Sequence, residues 1–188
     1  RSLNTRKGEQ MKRALYFFIL FFITLPLGAE SLNFYLFSDA MAVTSLLPQK
    51  GYGSIGFGAS INEDISIEIP LKILTDKTGG DEKLLETAIF LKIFPWRKGP
   101  YLSLSLIQFI SFIGPYMPED SFHYLNEIAI GYRWNFYKNF SVSPSISFRD
   151  PNLTYNESFD YIEGFIPSFN RVNFSLNFQF RFTSISIT

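Results

Sequence analysis

The chain has 188 residues, 17 Lys+Arg against 17 Asp+Glu, and so a formal net charge of zero, which excludes the basic footprint of a nucleic-acid-binding protein. It contains no cysteine, which removes disulfides, thiolate chemistry, Cys-based zinc sites and a lipidated cysteine anchor. Its length is that of one domain, and 46% hydrophobic residues with 22 Phe and 10 Tyr is an aromatic load suited to a lipid-facing surface.

Residues 1–10 are polar and read as upstream sequence, with Met11 as the expected start. After Met11, Lys12 and Arg13 precede an apolar run from Ala14 to Ile23, then Pro26, and then Leu27-Gly28-Ala29. A basic region, a short apolar region and small residues at a cleavage point, in that order, predict a secretory signal peptide over 11–29. A spanning helix needs roughly 20 unbroken apolar residues, more than this run supplies.

From Glu30 to Thr188 the chain divides into about eight segments of barrel-strand length. In chain order these are 32–38, 52–61, 65–74, 84–94, 101–113, 123–136, 140–149 and 170–182. The last is the clearest: Val172, Phe174, Leu176, Phe178, Phe180 and Phe182 alternate with Arg171, Asn173, Ser175, Asn177, Gln179 and Arg181. Successive strand side chains point to opposite faces, so one face is apolar and the other too polar for a dry core. A closed barrel in a bilayer asks for that combination. The same pattern sets Ile69, Leu71 and Ile73 against Glu68 and Lys72, Ile130, Tyr132 and Trp134 against Arg133, and Ile146 and Phe148 against Ser145 and Ser147. Pro144 gives up a ladder donor inside its segment, and the alternation of 101–113 fails at Ile107, where a bulge is expected. Connections are short at 62–64, 95–100 and 137–139 and longer at 39–51, 75–83, 114–122 and 150–169. That strict parity predicts short periplasmic turns, long extracellular loops and both termini on the periplasmic side.

Asn62-Glu-Asp-Ile-Ser-Ile-Glu68, Gly99-Pro-Tyr101, Ile130-Gly-Tyr132 and the ending Phe178-Gln-Phe-Arg-Phe182 together resemble the small outer-membrane β-barrels of the OmpW type. The resemblance implies an eight-stranded antiparallel transmembrane barrel in the bacterial outer membrane, reached through a cleaved signal peptide. It further implies a narrow channel or carrier for small, often hydrophobic molecules, surrounded by outer-membrane lipid, handled by the barrel-assembly machinery through its C-terminal strand, and monomeric. The loops are short for that family, and Thr183–Thr188 is expected to trail beyond the last strand.

The inward set comprises Glu68, Lys72, Glu86, Lys92, Glu127, Arg133, Arg149, Arg171 and Arg181. An eight-stranded bore is just wide enough to be filled by side chains or to hold one small ligand. These charges therefore form either an ion-pair plug or a selectivity constriction. Phe90, Ile107 and Phe109 are the candidates to line an apolar pocket. In the loop 150–169, Tyr155, Phe159, Tyr161 and Phe165 form either an adhesive surface for a host ligand or a lid folded over the mouth. His123-Tyr-Leu-Asn126 is similar to the His-x-Ser-Asn stretch of outer-membrane lipid A deacylases, but Leu125 stands where the nucleophile would be, and hydrocarbon cannot attack an ester. The expectation is a non-enzymatic barrel without metal or cofactor, either a channel or carrier, or a surface adhesin or structural barrel with a plugged lumen.

Overall fold

The computed structural model describes residues 31–40, 50–76, 83–113, 122–166 and 169–186; the expected signal peptide, 11–29, and residues 1–10 lie outside them. The strands are β1 (Ser31–Asp39), β2 (Lys50–Ile61), β3 (Ile65–Asp76), β4 (Lys83–Ile93), β5 (Gly99–Ile113), β6 (Phe122–Tyr124), β7 (Glu127–Tyr137), β8 (Phe140–Arg149) and β9 (Val172–Ser186). A helix, α1 (Asn156–Phe165), lies between β8 and β9. All strand pairs are antiparallel, in the order β4-β3-β2-β1-β9-β8-β7-β5, and the β4–β5 ladder closes the ring. Strands β6 and β7 follow one another along the same edge of β5, so the fold is a closed eight-stranded barrel.

Alternation decides which way each side chain points. On β1, Asn33, Tyr35, Phe37 and Asp39 are buried inside; on β4, Leu84, Glu86, Ala88, Phe90 and Lys92 are. The outer wall is apolar, with Ile55, Ile69, Leu71, Ile73, Ile130, Ile146 and Phe174 exposed around it. Aromatic rings collect toward its two ends: Trp96, Trp134, Phe136, Tyr137 and Phe140 near the short turns, and Phe122, Tyr124 and Phe148 near the long connections. Three of the large inward rings lie over the glycine paired with them on the neighbouring strand. A Cβ at Gly58 would meet the Tyr35 ring, one at Gly56 the Phe37 ring, and one at Gly131 the Tyr101 ring. The β2–β3 turn places Asn62 and Glu63 at φ 52° and 62°, and Asp64 N–H donates to Ile61 O at 3.1 Å, closing the hairpin with the hand that matches strand twist.

Proline interrupts ladders here without ending strands. The β7–β8 pairing passes from Gly131↔Ser145 to Trp134↔Val142 in constant register, leaving out the step at Pro144, and the β3–β4 pairing leaves out Pro70 in the same way. Each proline lacks the N–H that its rung needs.

Three expectations change. The segment 123–136 is broken at Leu125 and Asn126 into β6 and β7. The last strand does not stop at Phe182: β9 continues to Ser186, pairing Ser31↔Ser186 on β1 after a bulge at Phe182. The irregularity expected near Ile107 is one residue earlier. On the β4 side, Phe90 pairs with Ser105 and Ile89 with Ile107, so Leu106 is the extra residue. It reverses the facing of everything that follows. Ile107 and Phe109 lie on the outer wall at 39% and 36% exposure, while Gln108, Ile110 and Phe112 point inside.

Filling the inner face at Gly58 should strain the bore, and filling the outer wall should not. Gly58→Val is expected to cost about 1–3 kcal/mol by overpacking. Gly53→Val, with open space at its Cβ, should change stability by less than about 0.5 kcal/mol. Urea unfolding in lipid vesicles checks the pair.

Candidate functional site

The inward charges assemble into two tiers. In the tier nearer the short turns, Glu68 on β3 is held by Lys92 at 2.6 Å on the neighbouring β4. It also accepts from Tyr35 OH at 2.9 Å and Gln179 Nε2 at 3.3 Å, and Arg133 Nη2 stands 3.8 Å away. The cations lie against rings as well: Lys92 Nζ is 4.6 Å from the Tyr101 centroid and the Arg133 guanidinium 4.1 Å from that of Phe94. Such contacts offer a desolvated cation the negative face of a π-system.

In the second tier, Glu86 on β4 is fully buried between Lys72 at 2.7 Å and Arg149 at 3.1 Å, and accepts from Gln108 Nε2 at 3.1 Å. Glu127 on β7 meets Arg149 Nε at 3.5 Å and Gln108 Nε2 at 3.3 Å. Two acids face two bases, and Gln108 bridges the carboxylates. An unpaired ion in a closed bore costs several kcal/mol, so cross-lumen pairing is what makes these residues tolerable.

Between the tiers is a cavity of about 50 Å³, reached by Ser103, Ser145, Ser147, Ser175, Asn173 and Asn177. At about 10–15 Å³ per water this holds a few water molecules among hydroxyls and amides. Phe37, Pro70, Phe90 and Tyr101 also line it, and at this volume it is too small for a bulky solute.

At the end with the long connections, α1 packs over the barrel mouth formed by the described residues. Phe159, Ile162 and Ile166, on one side of the helix, are buried with Phe169 against Leu84, Ile110, Phe112 and Leu125 from the barrel mouth. The spacing of Phe159, Ile162 and Ile166 is that of a helix with one apolar face. Arg149 reaches from the second tier to within 4.0 Å of the Phe169 ring, and Arg171 lies 4.2 Å from the Phe159 ring while pairing with Asp160 at 3.3 Å. The lid and the ion-pair network thus share members.

Of the nine expected lumen charges, Glu68, Lys72, Glu86, Lys92, Glu127, Arg133 and Arg149 come together in the tiers. Arg171 stands instead beneath the lid, and Arg181 at the opposite mouth near Glu63 at 4.0 Å. The proposed pocket lining is not assembled. Phe90 is inside, but the Leu106 bulge sends Ile107 and Phe109 outward. Of the expected loop surface, Phe159 is buried in the lid and Tyr161 packs on His123 and Phe112, leaving Tyr155 exposed; the Phe165 side chain lies outside the described residues. His123 is buried with its ring 4.9 Å from that of Tyr161, and Leu125 sits in the apolar lid core. Gln108, Tyr35 and Gln179 were not singled out as site residues by sequence. Gln108 carried a signal, as one strongly polar side chain in an apolar run.

No family model matches the chain, and no curated protein matches it. Among solved structures it is similar to the N-terminal β-barrel domain of Pseudomonas aeruginosa OprF, at 14% identity and a TM-score of 0.46 over 82% of this chain and 98% of that one. No residue role passes across a likeness of that size.

The two kinds of ion pair should differ sharply in cost. Glu86→Gln leaves Lys72 and Arg149 without their shared counter-ion and is expected to destabilise the barrel by about 3–5 kcal/mol. Asp64→Asn breaks the Arg97 pair, whose side chains are 41% and 70% exposed, and should cost less than about 1 kcal/mol. Equilibrium unfolding of both variants in vesicles measures the contrast.

Proposed function

We propose that this chain is an outer-membrane barrel with a closed lumen, serving as a membrane-embedded structural element rather than as an enzyme or an open pore. The observation that carries the reading is the distribution of polarity: apolar and aromatic outside, ion-paired inside. Exposed residues such as Ile130 at 60%, Trp134 at 65% and Phe174 at 62% recur around the wall rather than in one patch. In water such a surface would drive aggregation; in a bilayer it is the solvated face. Strands of about 10 residues tilted as in such barrels give an apolar band roughly 25 Å tall. The basic and apolar segment at 11–29 supports export, and partners are then lipid and, through β9, the barrel-assembly machinery.

The OmpW-like carrier reading needs a water-poor pocket beneath the loops. Ile107 and Phe109 face outward, and Phe159, Ile162 and Ile166 of the lid pack on Leu84, Ile110 and Phe112 at the barrel mouth, which favours a plugged barrel over a conduit. A surface-contact role has narrower support, from Leu153 and Tyr155 standing exposed beside the acidic outer side of α1.

Membrane insertion is testable through the two tryptophans. In a Trp96→Phe variant, Trp134 fluorescence should be strongly quenched in vesicles of acyl-brominated lipid and unaffected in unbrominated ones. Equal emission in both lipids would remove the membrane reading. In planar bilayers the refolded chain should give no sustained conductance; a stable open level would instead support the channel.

A further inference from the structure

The mouth at the short-turn end gathers more positive charge than its acids pair. A cavity of about 30 Å³ there is lined by Arg97, Arg133, Lys138 and Arg181, with Glu63 as the acid among its walls. Arg97 is engaged by Asp64 at 3.2 Å. Arg133 rests on the Phe94 ring at 4.1 Å and reaches Tyr35 Oη at 3.5 Å, but its only acid, Glu68 at 3.8 Å, already has Lys92 at 2.6 Å, so among the described residues its charge is incompletely paired. Arg181 is 4.0 Å from Glu63, and both side chains are about one-third exposed.

Two residues lining this cavity carry a buried polar atom without a hydrogen-bond partner among the described residues: Arg133 at Nε, and Ser60 at Oγ on a residue only 4% exposed. Both can donate. A water could accept from them, but it would not offset the charge, and a largely buried guanidinium without a full counter-ion is costly. The space corresponds to about two waters at 10–15 Å³ each. That suits a halide, or the oxygens of an inorganic oxyanion seated at the open side, and is too small for a bulky organic acid.

We infer that this cavity is a binding site for a small inorganic anion, held by the guanidinium groups of Arg133 and Arg181 with the Ser60 hydroxyl as a neutral donor. The anion supplies the counter-charge that Glu68 shares with Lys92. Charge-assisted hydrogen bonds from two arginines account for affinity, and the narrow bore for selection by size.

The test uses the full chain refolded in detergent, titrated calorimetrically with sodium chloride and, separately, sodium phosphate, with sodium gluconate holding ionic strength constant. Saturable binding of one anion per chain is expected, weakened about tenfold or more by Arg133→Gln and by Arg181→Gln. Lys98→Gln, a charge change outside the cavity, should leave it unaltered. Arg181→Gln keeps the test decisive if Arg133→Gln fails to fold, since Arg181 stands outside the two tiers. Heat that does not saturate, binding that survives Arg181→Gln, or an equal loss in Lys98→Gln would overturn the site.

Discussion

Carboxylates and guanidinium groups enclosed by eight strands cannot shed their charges into water, so each must meet a counter-ion across the bore. The geometry of the barrel follows from this constraint. Glu86 comes from β4 and Arg149 from β8, strands not adjacent in the ring, yet their charged atoms are 3.1 Å apart. A slip of one residue in any intervening ladder would turn one partner to the outer wall and leave the other buried alone. The ion pairs therefore specify register as much as they fill space. Replacing them by apolar side chains of similar volume could raise stability while losing that specification.

Register is also adjusted by residues with no charge. Gly56 and Gly58 admit the Phe37 and Tyr35 rings, and Tyr35 then reaches Glu68. The Leu106 bulge turns Gln108 inward, where it donates to both Glu86 and Glu127. Without the extra residue, Ile107 would stand in the lumen and two carboxylates would lose their bridging donor. The bulge and the second tier depend on each other, and the α1 lid depends on both, because Ile110 and Phe112 face the lid only after the reversal at Leu106.

Most of the barrel was legible in the alternation of polarity, because outward-facing and lumen-facing positions differ so sharply in chemistry. Seven inward charges could be named for the same reason: a charge at a polar-face position has nowhere else to go. The pocket residues Ile107 and Phe109 were misplaced because consecutive apolar residues at Leu106 and Ile107 fit either facing, and a bulge is fixed by cross-strand hydrogen bonds that sequence does not display. Gln108 was the clue, since a primary amide is poorly placed on an apolar wall. The α1 helix was hidden by composition. Its acidic and aromatic residues read as a loop, either exposed or folded over the mouth, although Phe159, Ile162 and Ile166 keep a helical interval. The extension of β9 to Ser186 was missed because the family resemblance ends the last strand at Phe182, although Ile185 keeps the alternation with Ser184 and Ser186, and its pairing is supplied by β1.

A lumen closed by side chains is the central claim, and the natural absence of cysteine makes it directly measurable. Ser103 is 2% exposed and borders the small cavity between the tiers. A single cysteine introduced there, in the chain refolded into vesicles, can be challenged from outside and inside with a charged, membrane-impermeant thiol reagent. The account predicts that Ser103→Cys stays unmodified from either side until the barrel is unfolded, while Asn152→Cys, in the exposed segment before α1, reacts at once. Rapid labelling at position 103 in the folded barrel would mean that the bore is continuous with water, and would contradict the account.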